Sequence, residues 1–243
     1  GFFIARSQEI RSPFPEMEKN TTEFWSSLSQ KPWKLNDAYE KENKAYTNAV
    51  MIGGGDLMFP YPESRRNRTA LLKISPADVD NNGKTLPRIA CWYFLDDPDK
   101  KCEAYLKAAI REWQNTAPWA KKIIWDFEPH PFGLDEGGRA RFARKMNLSY
   151  TPSIDEINSK YRHQYFGYMV NLHAQLIAKV AGIIREEAPE TQFWLCTDNL
   201  HASGERVAAW CGVDAALSDG VVDGHMHMPY YSGTRYFDDM AYN

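Results

Sequence analysis

The sequence predicts an α/β fold of the (β/α)8 TIM-barrel type, organised as a single domain over residues 1–243, with fewer than eight strand–helix units counted. Three observations point there. Short apolar runs alternate with longer amphipathic ones, as repeated strand–helix units require. Polar residues gather just past the C-terminal ends of the apolar runs, the edge where barrels and open parallel sheets build their sites. The Gly-rich turn after the second run, GGGD at Gly53–Asp56, leads into MFPYPES instead of a helix, which argues against a nucleotide-binding turn.

Strands are expected at Phe2–Ala5, Ala49–Gly53, Arg88–Leu95, Lys122–Glu128, Thr191–Thr197 and Val222–Tyr230. A helix is expected from about Pro98 to Thr116, with Asp97 as N-cap and Pro98 as first helical residue. Tyr105, Leu106, Ala109, Ile110 and Trp113 form its apolar stripe. A longer helix opens on the Ser153/Glu156 capping box and carries Ile154, Ile157, Tyr161, Tyr165, Leu172, Leu176, Val180 and Ile183 at helical spacing until Pro189. A short helix is expected at Gly204–Cys211, with Gly212 as its stop. Residues 54–87 and 129–152 are long connections, of the kind that carry function or lack fixed structure. About a dozen residues follow Tyr231, too few for two more units, so an incomplete barrel or a piece of a longer protein is expected. The opening GFFIAR, without Met, reads the same way.

Composition excludes several classes. A net charge of −3 with no long basic run gives no footing for nucleic acid or an anionic membrane surface. No stretch is long and apolar enough to span a bilayer. Cys91, Cys102, Cys196 and Cys211 form no CxxC pair, so a thiolate zinc site is not expected. The 14% aromatic content supplies flat faces that can stack on sugar rings, although most such side chains pack cores. No cofactor is implied, and nothing specifies the oligomeric state.

The sharpest chemical feature is IIWDFEPHPFG, Ile123–Gly133. Residues two apart on a strand share a face, so Ile124, Asp126 and Glu128 line one side while Ile123, Trp125 and Phe127 line the other. Two carboxylates together at the end of a buried strand cost stability through desolvation and repulsion, and the same crowding lets one hold a proton near neutrality. An ion pair with a neighbouring Arg or Lys is the bland alternative.

WDFEP, Trp125–Pro129, resembles the fourth-strand end of clan A glycoside hydrolases. TPSIDEINSKY at Thr151–Tyr161, the helix ending IIREEAPETQFWLCTDN, and VVDGHMHMPYY at Val221–Tyr231 are similar to β-galactosidase-like members. The resemblance implies hydrolysis of a glycosidic bond in an oligo- or polysaccharide, with Glu128 as general acid/base and Asp126 beside it. It also implies a secreted or periplasmic setting. Phe127 stands where that family has Asn, and the second carboxylate of a retaining mechanism is not identifiable in this sequence. Family 18 chitinase-like barrels offer a second resemblance, through Asp126-Phe127-Glu128 and Met228-Pro229-Tyr230.

Substrate contacts are expected from Trp92 and Asp96 on the third strand, from His130, and from Asp198 and Asn199 at the fifth strand's end. His225, His227, Tyr230 and Tyr231 on or after the sixth complete the set. Asp223-x-His225-x-His227 also resembles the first-strand metal motif of amidohydrolase barrels, which would imply a metal-dependent hydrolase. Almost nothing follows it to supply further ligands, so no metal is expected. A non-catalytic carbohydrate-binding barrel that kept the cleft is the remaining alternative.

Overall fold

A computed structural model describes residues 3–5, 23–27, 47–53, 57, 59, 61–118, 120–127, 129, 133–198 and 213–228 of the chain. In chain order the first elements are β1 (Phe3–Ala5), β2 (Glu23–Ser27), β3 (Thr47–Gly53), α1 (Pro62–Ile74), β4 (Ala77–Val79) and β5 (Thr85–Ile89). Next come α2 (Cys91–Asp96), α3 (Lys101–Thr116), β6 (Lys122–Asp126), α4 (Glu136–Lys145), α5 (Ile154–Ser159) and α6 (Arg162–Glu187). The last are β7 (Gln192–Asp198), α7 (Ala215–Ser218) and β8 (Gly224–Met228).

Six strands form one sheet in the order β1-β2-β3-β6-β7-β8, and every pairing is parallel. A doubly wound sheet reverses its order at a switch point; this one does not. Right-handed crossovers in such a sheet bring the described helices α3 and α6 to one face. The core bears this out. Ile123, Trp125, Phe193 and Leu195 pack in one cluster with Trp113 of α3 and Val180 of α6. On the opposite face Ile124, Cys196 and Met226 are buried as well. Both faces of β6 are therefore apolar, which explains why its sequence reads as a continuous run.

Lys122 is the exception in that run, and it is 2% exposed. Its ammonium lies 3.7 Å from the centre of the Trp194 ring. Trp194 in turn lies flat on Gly224, where a Cβ would stand 2.9 Å from the indole. This assembly sits at the N-terminal foot of the sheet, the end that serves stability in barrels.

Two expectations about the third unit are corrected. Arg88–Leu95 is not a strand of the main sheet. Thr85–Ile89 pairs antiparallel with Ala77–Val79 in a separate hairpin, and Cys91–Asp96 is helical. The cause is tertiary: Lys179 of α6 donates to the Phe94 and Leu95 carbonyls, both at 2.9 Å, and so satisfies the last acceptors of α2. The missing third strand is supplied by β2, so Lys122–Asp126 remains fourth in the sheet. Asp97 does cap the following helix, but from further out than expected. Its two carboxylate oxygens accept the N–H groups of Cys102 and Glu103, both at 2.8 Å.

The Ser153/Glu156 capping box is present with both reciprocal bonds, and the expected long helix breaks at Lys160–Tyr161 into α5 and α6. The expected helix at Gly204–Cys211 lies outside the described residues. None of the described helices is long and apolar enough to cross a membrane.

The connection 54–87 contains α1, whose N-terminus is capped from another helix. Glu112 of α3 accepts from the Glu63 N–H (3.0 Å), the Ser64 N–H (2.7 Å) and the Ser64 hydroxyl. Glu112→Ala is expected to cost about 1–2 kcal/mol, the size of a lost cap with a buried hydroxyl left unpaired. A denaturant melt reads it, and an unchanged midpoint would show that α1 is held by its apolar contacts alone.

Candidate active site at the C-terminal edge of the sheet

β6 ends at Asp126, and the pairing register shows what flanks it. Asp126 pairs with Gly53 of β3 on one side and Cys196 of β7 on the other, and Cys196 pairs with Met226 of β8. Cα partners on parallel strands share a face, so Asp126 stands in a row between a glycine and a thiol. Asp126 is half-buried, with Oδ1 closed off from solvent. The row below it reads Ile52, Trp125, Leu195 and His225, and its first three members belong to the core beneath the helices. Asp126 thus faces away from the helices, as strand alternation requires, with Trp125 buried on the other side.

Glu128 lies outside the described residues, but both its neighbours are buried: Phe127 is 2% exposed and Pro129 is enclosed. Both line a cavity of about 30 Å3 on the helix side, room for little more than one or two waters. Phe127 stacks on Trp125 at 4.0 Å between ring centres and meets His173 edge-on at 5.6 Å. His173 is 1% exposed on α6, a packing residue of the wall behind the strand end.

The other expected site residues divide. His225 is level with Leu195, which puts it on the helix-covered face and not on the floor beside Asp126. That corrects the expectation, and the physical reason is the period of two: Met226, not His225, shares the face of Asp126. His227 pairs with Thr197, and Asp198 with Met228, but those side chains lie outside the described residues. So do His130, Asn199, Tyr230 and Tyr231. Asp223 at the foot of β8 accepts the Phe193 N–H at 2.7 Å, a backbone role far from the strand end. Among the described residues no three His, Cys, Asp or Glu side chains come together as metal ligands would.

Trp92 and Asp96 are on α2, not at a strand end. The Trp92 indole N–H donates to Asp135 at 2.9 Å, and the Arg141 guanidinium covers the ring at 4.4 Å. Gly137 backs the same indole so closely that a Cβ there would lie 2.3 Å away. Asp96 pairs with Arg141. The pair therefore docks α4 onto α2, and its ring is not open for stacking. Burial raises the Asp135 carboxyl above the usual range, against the bonds from Trp92 and the α4 N-terminus that lower it.

Sequence reasoning missed the hairpin and its buried pair. Asp78 accepts from the Arg88 Nε at 2.6 Å and from its neighbour Val79 N–H at 2.7 Å. Burial raises its carboxyl above the usual range while Arg88 pulls it back. The Asn82-Gly83 turn between two short strands was the available signal, with Gly83 at φ +78° as such turns need.

No protein-family model matches the chain, and no curated protein does. Solved structures do. The catalytic domain of a β-amylase from Paenibacillus polymyxa superposes with a TM-score of 0.57 at 12% identity, over 96% of this chain and 79% of that one. A chitinase from Chromobacterium violaceum matches at a TM-score of 0.43 and 17% identity, over 88% of this chain and 57% of that one. At 12% identity the likeness to the β-amylase catalytic domain speaks for the fold alone.

Proposed function

We propose that the chain is a glycoside hydrolase of the (β/α)-barrel type, acting on an oligo- or polysaccharide, with Glu128 as its general acid/base. The observation that carries this reading is the position of Asp126, at the C-terminal end of the fourth sheet strand on the face turned away from the helices. Glu128, two residues on, has the same parity. In the barrel this implies, that face is the interior and that edge is the mouth, where barrel enzymes place their chemistry.

The carboxylic acid of Glu128 delivers its proton to the glycosidic oxygen as the bond to the anomeric carbon breaks. The leaving sugar departs as a neutral alcohol, and water completes the hydrolysis. Asp126 keeps a second negative charge nearby, which favours the protonated form of Glu128 before the step and disfavours its charge after it. Gly53 presents no side chain next to Asp126, so a sugar ring can approach the carboxylate from that side.

The test is a reducing-sugar assay of the wild-type chain on α- and β-glucans, chitin oligomers and galactosides, with binding to each measured in parallel. Hydrolysis of at least one is expected. Binding without hydrolysis would replace this reading with a carbohydrate-binding barrel.

A further inference from the structure

We infer that Tyr150 is a second sugar-binding platform, apart from the carboxylate at the strand end, and that the substrate is a polymer long enough to reach both. The choice of a sugar as ligand rests on the glycosidase reading proposed above.

Among the described residues Tyr150 is the most exposed Phe, Trp or Tyr, at 43%. A single exposed aromatic is ordinary, but this one is locked in place. Its hydroxyl donates to Glu156 Oε1 at 3.0 Å and stands 3.3 Å from the Tyr161 hydroxyl. Glu156 is itself fixed, because its other oxygen accepts the Ser153 N–H at 2.8 Å in the capping box. The backbone on either side is held too. The Leu148 N–H donates to the Ala143 carbonyl at 2.9 Å, past the turn at Asn147, where φ is +54°. Arg139 Nη1 donates to the Pro152 carbonyl at 2.8 Å.

With its hydroxyl engaged by two protein groups, the part of Tyr150 left for a ligand is the ring. A pyranose is complementary to that surface: it offers a face of C–H groups to the ring and a rim of hydroxyls around it. The Lys160 ammonium, exposed and 4.8 Å from the centre of the Tyr161 ring, supplies a donor to that rim. The Glu156 carboxylate has acceptor capacity left beside it. A ring already held in place needs little ordering when a sugar binds.

The platform lies on the same side of the sheet as Asp126. α6 leads into β7, which runs parallel to β6, so the start of α6 points toward the C-terminal edge. His173, twelve residues after Tyr161, meets Phe127 just past the end of β6, with 5.6 Å between ring centres. At 1.5 Å per residue, Tyr161 therefore stands about 18 Å further along the helix axis, beyond the strand end. One sugar cannot touch both Tyr150 and Asp126. A chain of several sugars can.

The experiment is affinity electrophoresis through gels holding soluble starch, a β-glucan, glycol chitin or galactan, which gives a Kd for each polymer without turnover. Wild type and Tyr150→Ala are compared, with thermal melts and sedimentation alongside. On the polymer that wild type binds best, Tyr150→Ala should weaken Kd about tenfold, the size of a lost aromatic anchor. Nitration of Tyr150 in the wild-type chain, read by peptide mass, should slow when that polymer is present. This second measurement holds even if the variant melts early. Binding by a folded Tyr150→Ala at wild-type strength, or nitration at an undiminished rate, would overturn the inference. So would a wild-type dimer that Tyr150→Ala dissociates, since a second copy would then cover the ring. If wild type hydrolyses a short glycoside but no polymer retards it, the platform falls and the glycosidase reading stands. If it hydrolyses nothing while Tyr150→Ala loses polymer binding, the platform stands in a carbohydrate-binding barrel and the glycosidase reading falls. If it neither hydrolyses nor binds any of these sugars, both fall.

Discussion

Glu128→Gln is expected to lower kcat on a natural glycoside by about 10²–10⁴-fold, the contribution of a positioned general acid. That range corresponds to roughly 3–5 kcal/mol of transition-state stabilisation. Gln keeps the shape of Glu but cannot deliver a proton, so the sugar should still bind. Folding should survive too. Gln is isosteric with Glu, so the substitution opens no cavity, and it removes a carboxylate two residues from Asp126 in the chain. The substrate dependence makes the result specific: aryl glycosides with acidic leaving groups should lose much less. Steady-state kinetics on both substrate types, beside a thermal melt, decide it. Full hydrolysis of natural substrates by the variant would mean that another group is the acid.

Trp125→Ala, one residue before Asp126, should act on stability instead. The indole is 0% exposed, stacked on Phe127 at 4.0 Å with Phe193 beyond it at 6.2 Å. Truncating a buried aromatic of this kind costs about 3–5 kcal/mol through lost transfer energy and the cavity left behind. In a chain of this size that corresponds to a fall of roughly 10 °C in Tm. Trp125→Phe is the informative control. The Trp125 indole N–H is buried with no hydrogen-bond partner among the described residues, so Phe gives up no bond and should cost much less. A loss below about 1 kcal/mol for Trp125→Ala would contradict burial of this face beneath α3 and α6.

These two substitutions show how far a single stretch of sequence reaches. Alternation within IIWDFE separated Trp125 from Asp126 before any neighbour was known, because the strand period is a property of the backbone. The same rule, applied to VVDGHMHM, failed for His225. A lone strand reveals which residues share a face, but not which face meets the helices. Only the register Leu195 to His225 decided that. Trp92 and Asp96 failed for a different reason. CWYFLD is short, apolar and aromatic, and periodicity cannot tell such a run from a strand. Lys179, far away in sequence, supplies the charge that ends it as a helix.

By itself the sequence determined the alternation of strands and helices, the capping box at Ser153, the cap at Asp97 and the placing of Asp126 opposite Trp125. All are local, settled by backbone geometry and hydrogen bonds over a few residues. The tertiary structure alone decided the strand order, the face on which His225 lies, the trans cap that Glu112 lends α1, and the hydrogen bond from the Tyr165 hydroxyl to the Gly133 carbonyl. Each of these joins groups distant in the chain, and burial makes the joining obligatory: a carboxylate, a hydroxyl or a backbone N–H taken out of water must find its partner wherever the fold brings one.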